Sequence, residues 1–178
     1  MKNIILTGFM GTGKTSVGKE LSGLTGFPFF DTDSLIEKRL NLSILEIFQN
    51  YGEPHFRQIE KEILQELSPL HDAVISTGGG TLLEEENLKI VNRNALIVCL
   101  TADLQTILKR IRDSKNRPLL PQVESLYKER LPLYQKLPNT LDTTSSTPKE
   151  TARKILTIYE TISSGVDLRK RIIEPELD

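Results

Sequence analysis

Residues 8–15 have the sequence GFMGTGKT and match the phosphate-binding pattern G-x-x-x-x-G-K-[ST]. A short apolar run at residues 4–7 precedes this segment, and residues 16–24 after it have helical character. The pattern is meaningful where a strand enters the loop and a helix leaves it, so it indicates an α/β unit. The alternative, a glycine-rich turn with an incidental lysine, would need four fixed positions to coincide in that context. The sequence therefore predicts a mononucleotide-binding loop.

Each residue type in this loop has a physical role. Glycines allow the backbone to curl so that successive N–H groups face one anion, and the helix N-terminus adds partial positive charge. Lys14 is expected to reach the β- and γ-phosphates, and the Thr15 hydroxyl to bind magnesium. The nucleotide contacts predicted in this segment are Gly11, Thr12, Gly13, Lys14, Thr15 and Ser16.

Short apolar runs alternate with longer segments of helical period along the rest of the chain. Buried strands are predicted at residues 4–7, 27–30, 73–76 and 95–100, with 140–143 as a fifth. Apolar residues at helical spacing recur between Phe56 and Leu67 and between Leu104 and Ile111. This alternation predicts an α/β fold with parallel strands and helices on both faces, but it does not give the strand order. Residues 113–122 contain two prolines and no periodicity, which predicts a surface loop.

Composition excludes several classes of protein. The chain of 178 residues has the size of one domain, and 23 basic against 24 acidic side chains argue against a nucleic-acid binder. Cys99 has no second cysteine to pair with, and with only His55 and His71 beside it a zinc site is not expected. No signal peptide or membrane span is visible, so a reducing cytoplasm is the expected location.

Two carboxylates follow the second predicted strand directly. Asp31 and Asp33 would lie at the carboxyl end of a parallel strand, beside the phosphate loop, and on one side if the strand geometry persists. One could serve the metal through water, and the other could accept a proton from an attacking hydroxyl. The alternative is that Asp33 caps a helix that begins near Ser34.

Three further features are candidates for binding an acceptor. Arg57 and Glu60 lie three residues apart, so Glu60 could hold the guanidinium in a fixed orientation. The alternative is an ordinary surface ion pair. The glycines at 78–80 follow a strand. They indicate either a place where a ligand comes very close to the backbone or a flexible loop. Arg117 and Arg130 suit a lid over transferring phosphate, although either arginine could simply face solvent.

A guanine-reading N-K-x-D element is absent, which favours a small-molecule kinase over a GTPase.

Taken in order, these segments resemble the shikimate kinase family. The resemblance extends from about Ile4 to about Ile162. It rests on the phosphate loop together with Asp31-x-Asp33, Phe48, Gly52-Glu53, Phe56-Arg57-x-x-Glu60, Gly78-Gly79-Gly80, Arg117-Pro118-Leu119-Leu120 and Arg130-x-Pro132-Leu133-Tyr134.

The resemblance implies a fold similar to the nucleoside monophosphate kinases, with a five-stranded parallel sheet. It also implies transfer of the γ-phosphoryl group of ATP to the 3-hydroxyl of shikimate, in aromatic amino-acid biosynthesis, with ATP and Mg²⁺ required. A cytoplasmic monomer is expected, with neither nucleic acid nor membrane as partner. The chain, residues 1–178, would form one domain with mobile segments for substrate at about 32–61 and for a lid at about 112–124.

The resemblance also assigns roles to substrate-site residues. Asp33 would hold ring hydroxyls and act as base or orienter, while Arg57 and Arg130 would grip the carboxylate in the planar geometry that arginine favours. Glu60 would orient Arg57. Gly79 and Gly80 would offer backbone contacts to the substrate, and Gly78 would shape the loop. Phe48 and Phe56 would form a wall of the pocket.

On the nucleotide side, the resemblance implies that Lys14 and Arg117 stabilise charge on the phosphoryl group in transfer. Arg110 matches the position that packs on adenine. Thr15 and Asp31 would handle magnesium, Asp31 through water. The predicted catalytic residues are Asp33, Lys14 and Arg117.

One departure concerns the lid, because only twelve residues separate Arg117 from Arg130. A shorter lid than is usual for the family predicts faster opening or weaker sequestration of the site.

Two alternatives remain at this stage: a related kinase for gluconate or adenylylsulfate, and a nucleotide-dependent binding module without catalysis. The retained Asp33, Lys14 and arginines argue against the second.

Overall fold

The computed structural model describes residues 2–92, 95–112 and 120–164. Within these ranges the five strands are β1 (Asn3–Gly8), β2 (Phe29–Asp31), β3 (Val74–Ser76), β4 (Ala95–Thr101) and β5 (Thr140–Asp142). The seven α-helices of the same ranges are α1 (Lys14–Thr25), α2 (Thr32–Leu40), α3 (Ile44–Leu67), α4 (Glu85–Asn92), α5 (Leu104–Arg112), α6 (Leu120–Tyr134) and α7 (Pro148–Ser163). A short 3₁₀ helix spans Thr81–Leu83.

The strands form one parallel sheet in the order β2-β3-β1-β4-β5. Strand β1 lies in the middle, with Ile5 opposite Ile75 of β3 and Ile97 of β4. The chain moves to opposite sides of β1 as it continues, and ligands of open α/β sheets bind at the carboxyl ends beside such a point. The predicted five-stranded parallel sheet is confirmed.

Alternate residues of β1 pack on opposite faces of this sheet. Ile5 joins a buried cluster with Ile63 of α3. Ile4 joins a second cluster with Leu21 of α1 and Ile155 of α7. Helices therefore cover both faces, as predicted, and every residue of β1 is buried because neither face meets water. Among the described residues, no helix has both the length and the apolar character needed to cross a membrane.

Side-chain caps fix where two of the long helices begin. Ser43 and Glu46 form a reciprocal capping box at α3, and Thr147 and Glu150 form another at α7. Helix α1 differs, because Gly13 precedes it in a left-handed conformation with φ of 95° and supplies no side-chain cap. The first N–H groups of α1 are thus left for another acceptor.

The segment after β2 differs from the prediction. The strand ends at Asp31 and α2 begins at Thr32, so strand geometry does not continue to Asp33. The Asp31 side chain accepts a 3.3 Å hydrogen bond from the Ser34 N–H and caps the helix. The alternative in which Asp33 caps the helix is therefore wrong, since Asp33 lies inside the first turn of α2, where an acidic residue is also favourable.

The predicted loop at residues 113–122 is helical at its end. Helix α6 begins at Leu120 and places Pro121 in its first turn, where a missing N–H costs no helical hydrogen bond. Residues 113–119, including Arg117, lie outside the described residues.

Candidate active site

The phosphate loop joins β1 to α1 at the carboxyl edge of the sheet. A Cβ on Gly8 would lie 2.1 Å from the carbonyl oxygen of Leu100, so only glycine fits beside β4. Gly11 and Gly13 have φ values of 78° and 95°, which other residues rarely adopt. The Thr12 hydroxyl donates a 2.7 Å hydrogen bond to the carbonyl of Phe9 and closes the turn. The glycine spacing of the motif thus corresponds to the curled backbone that it predicts.

Lys14 lies against this loop from inside the first turn of α1. Its Nζ donates to the carbonyl oxygens of Gly8 at 2.8 Å and Phe9 at 3.0 Å. The ammonium group is thereby held at the mouth of the loop, beside the uncapped start of α1. Lysine charge and helix N–H groups together form an anion-binding arrangement.

A cavity of about 390 Å³ opens beside the loop. All six predicted nucleotide contacts of the loop line it, and so does Arg110 from α5. Further residues that line the cavity were not predicted: Val17, Ile111, Thr143, Ser146, Pro148 and Thr151. Four of these six lie just after β5 or at the start of α7, so only the tertiary fold brings them to the loop.

Arg110 is fixed in this cavity by the segment that follows β5. Its Nη1 donates to the Thr143 hydroxyl at 3.1 Å and to the Gly11 carbonyl at 3.3 Å, and its Nη2 donates to the Thr143 carbonyl at 2.7 Å. The Thr143 hydroxyl in turn lies 2.9 Å from the Thr12 carbonyl and 3.0 Å from the Thr101 carbonyl, and it can donate to either. A single buried threonine therefore joins the guanidinium to the phosphate loop.

Thr15 and Asp31 lie together between α1 and the end of β2. The Thr15 hydroxyl donates a 2.9 Å hydrogen bond to Oδ2 of Asp31. Hydroxyl and carboxylate oxygens are hard ligands that suit Mg²⁺, which takes few protein ligands and completes its shell with phosphate and water. No group of three or more His, Cys, Asp or Glu side chains in the described part of the chain could hold a metal. The pair fits a magnesium ion that a bound nucleotide would share.

Arg57 is held on one side by two glutamates. Its Nη1 donates to Glu60 at 2.8 Å, while Nε and Nη2 donate to Glu53 at 3.2 Å and 2.9 Å. Glu60 is fully buried, and its other carboxylate oxygen accepts from the Thr81 hydroxyl. Burial lowers the pKa of Arg57, but the hydrogen bonds and charges of Glu60 and then Glu53 raise it above its usual value overall. Arg57 is thus a permanently charged, oriented cation.

A kink in α3 precedes this arginine. Gly52 has φ of 77° and ψ of 172°, which interrupts the helix, and Pro54 lies in the first turn of the stretch that follows. That second stretch carries Glu53, Arg57 and Glu60 on neighbouring turns. The positive φ explains why a glycine stands at this point.

The three glycines after β3 bring the other predicted groups together. A Cβ on Gly78 would lie 2.7 Å from Oε1 of Glu60 and 2.9 Å from Oδ1 of Asp33, while one on Gly80 would lie 3.0 Å from Nη2 of Arg57. The Gly78 N–H donates to the Thr32 hydroxyl at 3.1 Å. Close approach of backbone to charged side chains therefore accounts for this glycine run.

Helix α6 completes this side of the site. A Cβ on Gly79 would lie 3.8 Å from Nη1 of Arg130. Tyr134 donates a 2.7 Å hydrogen bond from its hydroxyl to the Gly79 carbonyl. Burial raises the pKa of Tyr134 to about 12, although the charge and hydrogen bond of Arg130 oppose the increase. Tyr134 belongs to the R-x-P-L-Y segment, but its contact with Gly79 was not predicted.

Phe56 contacts Arg57, and Phe48 packs against Phe56. Their ring centroids are 4.8 Å apart at an interplanar angle of 31°. Cζ of Arg57 lies 5.3 Å from the centroid of Phe56, within the range of a cation–π contact. The aromatic pair therefore forms an apolar wall next to the cation.

Comparison with known proteins agrees with this arrangement. The family model "Shikimate kinase" matches residues 10–160. The shikimate kinase of Thermodesulfovibrio yellowstonii is 44% identical over 171 residues, which cover 93% of this chain and 99% of that protein.

Two solved structures have the same fold at clear sequence identity. Shikimate kinase from Acinetobacter baumannii in complex with shikimate has a TM-score of 0.84 at 34% identity, covering 94% of this chain and 96% of the other. Shikimate kinase from Aquifex aeolicus has a TM-score of 0.79 at 37% identity, covering 90% of this chain and 98% of the other. With a family model that covers most of the sequence and a relative matched over nearly its whole length, the chain belongs to the shikimate kinase family of ATP-dependent kinases, which act in aromatic amino-acid biosynthesis.

Proposed function

We propose that the γ-phosphoryl group of ATP passes to the 3-hydroxyl of shikimate at the carboxyl edge of the sheet, between the phosphate loop and the glycine run 78–80. One observation carries this location. Asp33, Arg57 and Arg130 converge on the glycine run, and a Cβ on Gly79 would also lie 3.5 Å from the carbonyl of Gly8, the first residue of the phosphate loop. An anionic acceptor held there would lie next to the phosphates.

The acceptor side suits a small hydroxylated acid. Shikimate has one carboxylate and three ring hydroxyls, so its binding needs a cation at one end and hydrogen-bonding groups at the other. We assign the carboxylate to Arg57 and Arg130, because two guanidinium groups give a planar anion charge and orientation together. The backbone of Gly79 and Gly80 and the rings of Phe48 and Phe56 would then complete the pocket.

Asp33 is assigned to the acceptor hydroxyl. Its Oδ1 lies close to the position of the absent Gly78 Cβ, at the end of the sheet that faces the loop. A carboxylate there can accept the hydroxyl hydrogen bond and receive its proton as the bond to phosphorus forms. Orientation of the attacking oxygen is the larger contribution, since phosphoryl transfer with a loose transition state needs little help from a base.

The nucleotide side is assigned to the cavity beside the loop. Lys14 and the N–H groups of α1 would bind the phosphates, and Arg110, fixed by Thr143, would pack on the adenine. Thr15 and Asp31 would hold Mg²⁺, which supplies charge neutralisation at the phosphates when bound. Arg117 lies outside the described residues, and its assignment to the transferring phosphoryl group rests on the family resemblance alone.

We further propose one domain over residues 1–178, with a substrate segment at about 32–61 and a lid at about 112–124. The enzyme would act as a monomer in the cytoplasm, where ATP and Mg²⁺ are available. Light scattering coupled to size-exclusion chromatography tests the monomer, and a mass of twice 20.1 kDa would contradict it.

The central experiment measures ADP release from ATP and Mg²⁺, with and without shikimate, on the protein and on Asp33→Asn. Shikimate-dependent release that falls by about a hundredfold or more in the variant is expected. Release indifferent to shikimate would overturn the acceptor, and gluconate and adenylylsulfate would then be assayed. Full activity in Asp33→Asn would overturn the role of Asp33 and leave the substrate assignment standing.

A further inference from the structure

We propose that Thr81 is a positioning residue for the substrate carboxylate. Its hydroxyl holds the buried carboxylate of Glu60 in the orientation that fixes Arg57, and it thereby sets how tightly the pocket binds an anionic acceptor. The inference rests on the assignment of Arg57 to the shikimate carboxylate made above.

The geometry places Thr81 at one end of a continuous chain of hydrogen bonds. Its hydroxyl donates to Oε1 of Glu60, and Oε2 of the same carboxylate accepts from Nη1 of Arg57 at 2.8 Å. Both Thr81 and Glu60 are 0% exposed. Since water does not reach this carboxylate, the hydroxyl is the group that satisfies the oxygen turned away from the arginine.

Thr81 is itself fixed by its backbone. Its carbonyl accepts a 3.0 Å hydrogen bond from Nδ2 of Asn87 in α4, and its N–H donates to the Gly78 carbonyl at 3.3 Å. Asn87 is also buried. The position of the hydroxyl therefore depends on the glycine run and on α4, and not on the rotamer of Thr81 alone.

A second carboxylate explains why the orientation of Glu60 needs this support. Oε1 of Glu60 and Oδ1 of Asp33 both lie within 2.9 Å of the position that a Cβ on Gly78 would occupy. Two carboxylates so close repel each other in a site of low dielectric constant. The Thr81 hydroxyl offsets charge on the Glu60 side, so that Glu60 stays paired with Arg57 although the Asp33 carboxylate lies nearby.

The test compares Thr81→Val, which keeps the shape and removes the hydroxyl, with Thr81→Ser, which keeps the hydroxyl. Loss of one hydrogen bond to a charged group predicts a shikimate KM raised about tenfold in T81V, with the KM for ATP and kcat changed less than about threefold. T81S should lie within about threefold of the unchanged protein. This split between the two substrates and the rescue by serine would not follow from a general loss of stability.

The methyl ester of shikimate gives a second readout, because it lacks the negative charge that Arg57 binds. The KM for the ester should be nearly the same in T81V and in the unchanged protein. Equal weakening of acid and ester, or equal losses for shikimate and ATP, would overturn the proposal and leave Thr81 a purely structural residue.

Thr7→Val is the matched control. Thr7 is equally buried, and its hydroxyl has no hydrogen-bond partner among the described residues, so its removal should change neither KM. Thermal unfolding of all three variants shows whether they are folded at the assay temperature. If T81V is not, calorimetric titration of shikimate and its ester into Thr81→Ala at low temperature tests the same difference.

The proposal and the substrate assignment fail in different ways. Release of ADP by the unchanged protein that does not saturate with shikimate would contradict the assignment itself. Saturation in the unchanged protein together with an unaltered KM in T81V would contradict only the role of Thr81.

Discussion

The hydroxyl of Thr15 and the Oδ2 of Asp31 are 2.9 Å apart, in a hydrogen bond that joins the start of α1 to the end of β2. The two lie sixteen positions apart along the chain, and the parallel sheet brings their elements to one edge. The same carboxylate caps α2 through its other oxygen, which fixes its orientation. The oxygen pair is therefore positioned before any nucleotide arrives.

The first prediction is that Asp31→Asn weakens the binding of magnesium without unfolding α2. Asparagine caps a helix as well as aspartate does, so the free energy of unfolding should hardly change. Loss of the carboxylate charge should raise the Mg²⁺ concentration for half-maximal rate by about tenfold. A titration of activity with Mg²⁺ at saturating ATP measures it, and an unaltered half-maximal concentration would remove Asp31 from the metal site.

Helix boundaries near this pair show where local sequence signals reach their limit. Asp31, Thr32 and Asp33 are all acceptable at a helix start, so composition alone did not identify Asp31 as the cap. The choice depends on where β2 stops pairing with β3, which occurs opposite Ser76. Tertiary pairing therefore decided which of the two carboxylates became the cap.

The second prediction concerns the space at Gly78. A methyl group there would lie 2.7–2.9 Å from oxygen atoms of Glu60, Asp33 and Thr81, so these side chains must shift. Gly78→Ala should reduce kcat/KM for shikimate by about a hundredfold, the cost of misplacing reacting groups by about 1 Å. Steady-state assays at varied shikimate measure it.

Gly23→Ala is the control for Gly78→Ala. Gly23 lies inside α1, and a Cβ there would meet nothing within 4 Å. This substitution should raise the free energy of unfolding by about 0.5–1 kcal/mol through helix propensity and leave the kinetics unchanged. Activity in Gly78→Ala equal to that in Gly23→Ala would contradict the close packing of carboxylates at Gly78.

The third prediction tests the anchor of Arg110. Thr143→Val removes a hydroxyl that accepts from Arg110 and can donate to the carbonyl of Thr12 or of Thr101, so the guanidinium loses a partner and the loop loses a contact. The KM for ATP should rise about tenfold, while the KM for shikimate stays within about twofold. Thr157→Val, whose hydroxyl donates to the Arg153 carbonyl of its own helix, should change neither KM. A rise in the KM for shikimate alone would contradict the assignment of Arg110 to the nucleotide.

Distance along the chain separates what the sequence predicted from what it did not. The phosphate loop was predicted because its glycines, Lys14 and Thr15 lie within eight consecutive positions, and its conformation follows from their backbone freedom. The contact between Arg57 and Glu60 was predicted because helical spacing places them on one face. Contacts of Thr81 with Glu60 and of Thr143 with Arg110 span 21 and 33 residues, and no local periodicity signals them.

The last prediction uses the pKa of Tyr134. Burial raises the pKa to about 12, against a partial opposing effect of Arg130, while tyrosine in the unfolded chain has a pKa of about 10. Because the pKa is raised, the folded state keeps the phenol proton up to a higher pH than the unfolded chain does. The stability supplied by the neutral phenol is therefore fully present below about pH 10. It is then lost as the pH rises toward about 12. The difference in the free energy of unfolding between the unchanged protein and Tyr134→Phe should shrink by about 1.4 kcal/mol from about pH 9 to about pH 11. Urea unfolding of both proteins at these two pH values measures it. A difference that stays constant would show that the phenol is not held neutral by burial against Gly79.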